Sequence, residues 1–363
     1  RELKALVPEL SALGMGSEAM REAGVELVFD SRDIGVIGLI EVLRHYGEIR
    51  GALKLMQQAL KTRRPDLLIC VDYKEFNFRL AKTAKALGIK VLFYVSPQVW
   101  AWRPGRVEQY GRIIDHMAVI FPFELPFYEA YGVPATYVGH PLAGKVRASL
   151  SKDDARLALG LNESGPLVGL LPGSRTNEIR RLLPVILESA DALKGRYPNI
   201  RFLLFQAASL QDETLDAALQ KAELPIQIIQ GQDYNALQLC DAVITVSGTA
   251  TLEVALLRRP MVIVYRLSAL SYWLGRLLVK VPFIGLPNIL AGKGIVREFI
   301  QHEATATNIA NEIASILEDP DYRSRMTHAL DEVSERLGHR DGSKELAHVA
   351  ANLLQSTRKV PQG

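Results

Sequence analysis

The sequence predicts an α/β protein built from two doubly wound, Rossmann-like domains facing across a cleft. Three observations predict it. Short apolar or β-branched runs alternate with helical patterns along almost all of the 363 residues, the order that gives parallel sheets covered by helices. Several of these runs are apolar at successive positions, as strands buried on both faces are. The strand series stops near Val138 and restarts at Leu167, and a chain well over roughly 150 residues favours more than one domain.

In chain order, the first half offers strands at Leu67–Val71, Val91–Val95, Met117–Phe121 and Thr136–Val138. The second half offers Leu167–Leu171, Phe202–Phe205, Ile226–Ile229, Ala242–Val246 and Met261–Val264. Helical patterns fill the gaps at Asn77–Leu87, Asn177–Leu193, Thr249–Leu257 and Ser268–Val279. Between the halves lie Gly139-His140-Pro141, a polar helix Ser151–Leu159 and the turn Asn162-Glu163-Ser164-Gly165-Pro166, so the domains are set at 1–150 and 151–363. Three closing helices, about 305–318, 321–336 and 342–355, have no strands between them and are assigned to the second domain. The opening Arg1–Leu6 reads as the end of a helix already under way, with no strand before it, which is the expectation for a start lying inside a longer α/β pattern.

Composition excludes several classes. Apolar residues at 48% and charged residues at 23% fit a folded globular enzyme rather than a disordered or fibrous chain. A net charge of +3 supplies no general nucleic-acid affinity. Two cysteines, Cys70 and Cys240, sit in apolar runs and read as buried thiols in a reducing compartment. The most apolar long window, Met261–Leu290, carries Arg266, Arg276, Lys280 and prolines, so it lacks the roughly 18 uninterrupted apolar residues of a membrane span. The Asp-x-Asp at Asp319-Pro320-Asp321 lies between two helices and reads as a turn with a helix cap; no metal is expected.

Chemistry concentrates where strands end. The strand Leu167–Leu171 runs into Pro172-Gly173-Ser174-Arg175 and then a helix. Glycine admits close backbone approach, free N–H groups at a helix start favour an anion, and Arg175 can clamp phosphate oxygens. A plain tight turn with a surface arginine explains the same residues. The strand Ala242–Val246 repeats the pattern in Ser247-Gly248-Thr249-Ala250-Thr251, with Glu253 four residues after Thr249, placed to accept from ribose hydroxyls or to lie as an ordinary surface carboxylate. Two such turns at strand carboxyl ends favour a bound phosphate. Gly285–Gly292 is expected to be a rigid, nonhelical, apolar stretch in which Asn288 either bonds a ligand or holds a connector.

In the first domain Asp72 follows strand Leu67–Val71 directly. It is the candidate base for a transfer in which an acceptor hydroxyl loses its proton while a nucleoside diphosphate leaves; the alternative is a cap on the following helix. Ser96-Pro97-Gln98-Val99-Trp100-Ala101-Trp102-Arg103-Pro104-Gly105-Arg106 sets two indoles and two arginines in one loop bounded by proline and glycine, suited to an amphiphilic acceptor or to packing. Residues 39, 42, 43, 46, 49, 53, 56 and 60 form one apolar helical stripe flanked by Arg44, Arg50, Lys54, Lys61, Arg63 and Arg64. With Ile34, Val36, Ile37 and Ile40 upstream, the segment 34–64 suits an anionic membrane surface or, equally, a core-facing helix.

Taken in order, the blocks Ile34–Leu43, Val71-Asp72 to Phe76-Asn77, Ser96–Arg103, Leu171–Arg175, Ser247–Glu253 and Leu286–Gly292 resemble the lipid-A-disaccharide synthase family over nearly the whole chain. The tryptophan block is the most specific of them. The sequence begins without that family's first strand and Gly-Glu-x-Ser-Gly-Asp turn, and has Glu75 where the family usually has Asp. The resemblance implies a GT-B glycosyltransferase that inverts anomeric configuration. It would join UDP-2,3-diacylglucosamine to 2,3-diacylglucosamine 1-phosphate, giving the β-1,6 lipid A disaccharide phosphate and UDP, with no cofactor beyond the donor. It implies Asp72 as essential base; Gly173, Ser174 and Arg175 at the diphosphate; and Gly248, Thr249, Ala250, Glu253 and Asn288 around UDP. It also implies a cytoplasmic enzyme peripheral on the inner face of the bacterial inner membrane, and a homodimer with swapped C-termini. A UDP-sugar 2-epimerase uses the same fold but needs no acceptor, and a catalytically inert binding protein would keep UDP without turnover.

Overall fold

The computed structural model describes residues 1–30, 46–102, 105–161, 164–207, 219, 222–231, 233–267 and 282–358. The helix expected at Ser268–Val279, the apolar block 34–43 and Arg103 lie outside them. The chain divides into two compact units, Arg1–Pro141 with Arg340–Gly363, and Leu142–His339.

The first unit carries β1 (Leu13–Gly16) and β2 (Glu26–Asp30) as a parallel pair, and β3 (Leu67–Val71), β4 (Lys90–Tyr94), β5 (His116–Val119) and β6 (Ala135–Tyr137) as a parallel sheet in that order. Phe93, Met117 and Val119 of this sheet are buried with Phe78, Tyr110 and Tyr128 in one apolar core. Ala52, Leu53, Met56 and Leu60 of the helix Tyr46–Arg63 join the same core. The apolar stripe is therefore core-facing from Ala52 onward, as its spacing of three and four residues allows.

The opposite cluster joins Leu92, Ala118 and Val138 to Ala350, with Leu3, Leu346, Val349 and Leu353 packed around it. The helix Gly342–Arg358, grouped by sequence with the second domain, thus covers the first unit's sheet. Chain order could not reveal this, because an apolar helical face does not state which sheet it covers. The return point demands a glycine: Gly139 has φ +97, and a Cβ there would sit 2.9 Å from both Cβ and the carbonyl oxygen of Arg340.

The second unit is one six-stranded parallel sheet of β7 (Leu167–Leu171), β8 (Arg201–Gln206), β9 (Ile226–Gln230), β10 (Ala242–Val246), β11 (Met261–Tyr265) and β12 (Arg297–Ile300). Its order is β12-β11-β10-β7-β8-β9. Every residue of the central strands β7 and β10 is buried, matching their unbroken apolar runs. Three strands were not expected from sequence, β1, β2 and β12; β2 carries the short apolar run Leu27-Val28-Phe29, but β1 and β12 are weak signals for a physical reason. β1 is Leu-Gly-Met-Gly, and β12 is an edge strand beginning Arg-Glu, so neither shows the apolar run of a two-face-buried strand.

Candidate active site

In the second unit the chain builds outward from β7 through β8 to β9, then returns to lay β10 on the other side of β7 and continues to β11 and β12. Strand order therefore reverses between β7 and β10, and ligands of open parallel sheets bind beyond strand carboxyl ends at such a reversal. Both anion-ready turns lie there. Gly173 has φ +109, and a Cβ on it would meet Glu178 Oε2 at 2.8 Å and Val246 Cγ2 at 3.3 Å, so the turn after β7 abuts the end of β10. Only glycine fits that left-handed, crowded position.

Arg175 is the N-cap residue of the 21-residue helix Thr176–Arg196 and makes no side-chain cap. The first-turn N–H groups are accordingly left to a ligand or water. Its guanidinium is 60% exposed and donates to Glu178 Oε1 at 3.0 Å. An exposed pair of this kind holds weakly, so Arg175 is free to turn onto an anion. Tyr265, ending β11, has its phenol pushed above the ordinary range by burial, with the charges of Glu178 and Arg175 acting on it in opposite senses.

After β10, Gly248 adopts φ +151, ψ −165, a conformation open essentially to glycine alone, and caps the helix Thr249–Leu256. Gly248 and Thr249 are exposed and Ala250 is partly so. Ser247 donates from Oγ to the Ile284 carbonyl at 3.1 Å, which ties the third motif to this turn. Glu253 is 3% exposed. Tyr234 donates its hydroxyl to Glu253 Oε1 at 3.2 Å, and burial raises the carboxyl above its ordinary range despite that bond. It is a partly engaged buried carboxylate, not a surface one.

The stretch expected to be nonhelical contains the short helix Leu286–Ala291, because Pro287 falls in its first turn, where proline is tolerated, and Asn288 lies on it. Asn288 is fully buried, and Nδ2 donates to the Val296 carbonyl at 2.9 Å and to Glu298 Oε1 at 2.7 Å. Its Oδ1 accepts from Ile295 N at 2.8 Å and Val296 N at 3.0 Å. All four hydrogen-bonding positions of the amide are filled. Glu298 also accepts from Ile284 N and Gly285 N, both at 3.0 Å. Asn288 and Glu298 together lock the stretch from Ile284 to Val296 that Ser247 touches. Nothing local singles out Glu298, which looks like any edge-strand carboxylate.

In the first unit Asp72 follows β3 with φ +47, and Tyr73 follows with φ +38. Two successive non-glycine residues in the left-handed region are uncommon, and each costs on the order of 1 kcal/mol. The turn is held by Asn77, whose Nδ2 donates to the Val71 carbonyl at 3.0 Å and the Asp72 carbonyl at 2.7 Å. Asp72 N continues the ladder to Tyr94 O at 3.0 Å. Its side chain makes no cap on the helix Lys74–Ala86. The residue is exposed, and its carboxylate has no hydrogen bond or ion pair among the described residues. Beside it, Arg106 pairs with Glu75 at 2.7 Å.

At the next strand end, Val95 has φ +66, an outlier for a β-branched residue. Ser96 is buried and lies 2.8 Å from the Tyr128 hydroxyl. Trp100 donates from Nε1 to Glu124 Oε1 at 3.1 Å and meets Phe123 edge-on at 4.8 Å. His140, buried and stacked 5.1 Å from Phe121, is pushed down to about 4 by desolvation. Glu124, Tyr128 and His140 were not expected from sequence, because nothing local distinguishes a buried Glu at a helix start from an exposed one.

Elsewhere, Asp319 Oδ1 accepts from Asp321 N and Tyr322 N, both at 2.9 Å, so the Asp-x-Asp is a helix cap. Cys70 and Cys240 are buried free thiols, and burial pushes Cys70 up to about 12. A cavity of about 690 Å³ lies at the opposite, amino-terminal edge of β10 and β11, lined in part by Asp241, Arg258, Arg259 and Arg323. Among the described residues no three metal-ligating side chains converge, and no helix is long and apolar enough to cross a membrane.

Comparison with known proteins places this geometry. The profile of the lipid-A-disaccharide synthetase family matches residues 1–352. The lipid-A-disaccharide synthase of Geobacter sulfurreducens is 48% identical over 354 residues, covering 98% of this chain and 92% of that protein. The enzyme of the same name from Coxiella burnetii (strain Dugway 5J108-111) is 38% identical over 356 residues, covering 98% and 94%. Among solved structures, the Staphylococcus aureus MnaA–UDP complex aligns with a TM-score of 0.60 at 12% identity, covering 95% of this chain and 98% of that one. Acinetobacter baumannii MurG aligns at 0.55 and 14% identity, covering 96% and 100%. At such identities the structural likeness speaks for the fold alone, two Rossmann-like units of the GT-B type.

Proposed function

Because the chain belongs to the lipid-A-disaccharide synthetase family, we propose that it joins UDP-2,3-diacylglucosamine to 2,3-diacylglucosamine 1-phosphate. The products are the β-1,6-linked lipid A disaccharide phosphate and UDP. The observation that carries the donor side is the pair of turns at the β7/β10 reversal, two open helix starts with a weakly held arginine. Gly173, Ser174 and Arg175 take the diphosphate. Gly248, Thr249 and Ala250 line the nucleotide, Glu253 accepts from ribose hydroxyls through the oxygen Tyr234 leaves open, and Asn288 acts by fixing the stretch beside Ser247.

On the acceptor side Asp72 is the general base. The 6-hydroxyl oxygen of the acceptor attacks C1 of the donor sugar, its proton passes to the Asp72 carboxylate, and the C1–oxygen bond to the diphosphate breaks to release UDP. Attack from the face opposite the leaving group inverts C1. A strained, exposed carboxylate with no partner among the described residues suits that role, since none of those bonds must be broken before it accepts the proton.

Residues 34–45 are the membrane-contacting segment of this reading, because the stripe beyond Ala52 is spent on the core. The enzyme then works at the inner face of the inner membrane, as a homodimer that exchanges C-terminal segments. The deciding experiment supplies both acylated substrates and follows UDP release. Release that requires acceptor is expected; release without it, or none with both substrates, overturns the reading. Ile40→Ser with Leu43→Ser is expected to move protein from anionic vesicles to supernatant, and unchanged partitioning removes the membrane contact.

A further inference from the structure

Glu124 is the least exposed acidic side chain among the described residues, at 1%, and no residue of the proposed chemistry touches it. Its first oxygen has an ordinary explanation. Phe121-Pro122-Phe123-Glu124 forms a reciprocal turn in which Glu124 N donates to the Phe121 carbonyl at 3.1 Å and Phe121 N donates to Glu124 Oε2 at 3.1 Å. The turn leads into the helix Glu124–Glu129, and the carboxylate closes it by taking up one backbone donor ahead of that helix. The second oxygen has no such explanation. Oε1 accepts the indole N–H of Trp100 at 3.1 Å, and the Ser96 hydroxyl, itself 2.8 Å from Tyr128, also bonds the carboxylate.

Glu124 therefore holds the Ser96–Trp100 segment at both of its ends, immediately after the strained Val95. The groups around it are the phenol of Tyr128, the Ser96 hydroxyl, the Trp100 indole, and the Phe121 turn on whose ring His140 stacks. Among the described residues no arginine, lysine or aspartate bonds it. A buried carboxylate without a counter-charge is expensive, and a helix cap alone does not need it buried.

We propose that Glu124 is a positioning residue whose two oxygens hold the Ser96–Trp100 loop against the Phe121 turn, and that acceptor binding depends on this hold. The proposal rests on the reading of that loop as the acceptor side. Trp100 N–H, Ser96 O–H and the backbone N–H groups of Phe121 and Ile120 all donate to it, and four donors on one carboxyl favour its ionised form, with charge-assisted bonds roughly twice as strong as neutral ones. Burial opposes that and raises the carboxyl to about 7. The two tendencies have opposite consequences. A folded value above the ordinary 4.5 means that the stability Glu124 contributes is complete below about pH 4.5 and is lost as pH rises through about 7. The hold on Trp100, in contrast, strengthens over the same rise. Acidification from pH 8 to pH 6 should thus firm the fold while loosening the loop.

The test uses the full chain and its Glu124→Gln variant. Gln keeps the shape but sets an amide N–H₂ against one of the donors. At pH 8 the KM for 2,3-diacylglucosamine 1-phosphate is expected to rise about tenfold, the loss of one charge-assisted bond, with the KM for UDP-2,3-diacylglucosamine and kcat within about threefold. In wild type the acceptor kcat/KM falls as pH drops through about 7 while the melting temperature, taken relative to the variant, rises. A merely structural Glu would raise the melting temperature in the same way and leave the acceptor kcat/KM unchanged. Trp100 as the sole emitter, in a Trp102→Phe, Trp273→Phe background without substrate, should shift its emission with a midpoint near pH 7, and Glu124→Gln should abolish the shift. This optical titration decides the hold even if the chain turns over neither substrate, so failure of the reaction and failure of the hold are distinguishable. If Glu124→Gln does not fold, Trp100→Phe breaks only the loop-side bond, and the emission of Trp102 then reports the loop. A titration unaltered by the variant, or a donor KM that rises as much as the acceptor KM, overturns the proposal.

Discussion

The two units solve the problem of presenting polar groups at a sheet edge in different ways. In the second unit the turns after β7 and β10 use glycine, at Gly173 and Gly248, to reach conformations other residues avoid, and leave helix-start N–H groups open. In the first unit the corresponding strand ends use non-glycine residues in the same left-handed region, Asp72, Tyr73 and Val95. The second unit's turns are relaxed and generic, fit for any anion. Those of the first are strained and held by specific side chains, Asn77 behind Asp72 and Glu124 behind Trp100. The difference teaches that binding a phosphate needs only backbone, whereas aiming one carboxylate needs a rotamer and a support, and the strain is tolerated for that end.

The comparison can be broken most directly at Asp72. Asp72→Asn preserves the turn and is expected to lower kcat about a thousandfold, within the range of general-base loss, with UDP affinity by calorimetry within about twofold. Near-normal turnover would end the assignment of the base. Next in size, Asn288→Ala empties four buried hydrogen bonds at once and should destabilise the second unit by about 3 kcal/mol in denaturant unfolding. A loss of UDP affinity without loss of stability would instead make Asn288 a direct ligand.

Arg175→Ala should weaken UDP binding by roughly thirtyfold, as expected for losing a charged hydrogen-bond donor to phosphate. Because its pair with Glu178 is exposed, thermal stability should hardly change. A large stability loss with unchanged UDP affinity would show a structural arginine. The smallest effect is expected from Tyr234→Phe, which removes the single bond to Glu253 and should cost about fivefold in UDP affinity, near 1 kcal/mol. No change there would take Glu253 away from the ribose.

Much of this was legible in the residues. The unbroken apolar runs of β7 and β10 identified two-face-buried parallel strands, and the Gly-Ser-Arg and Gly-Thr turns after them marked helix starts ready for an anion. Asp72 was readable as a strand-end carboxylate. Its strain was not, since left-handed backbone at Asp72 and Tyr73 is imposed by Asn77 from one turn further on. Asn288 was readable either as a side chain for a ligand or as the anchor of a connector, and the partners that fill its amide, Val296 and Glu298, lie on a later segment that only folding brings near.

Local sequence by itself settled what depends on neighbours along the chain: strand and helix type, the position of the turns, and the residue chemistry at each strand end. Tertiary structure alone decided what depends on distant partners. It put the last helix on the first unit's sheet, placed the strand reversal between β7 and β10, and buried Glu124 beneath Trp100. The reason is physical. Backbone preference and periodicity are short-range, while burial, hydrogen-bond saturation and the cost of an uncompensated charge are set by atoms that meet only when the chain has closed.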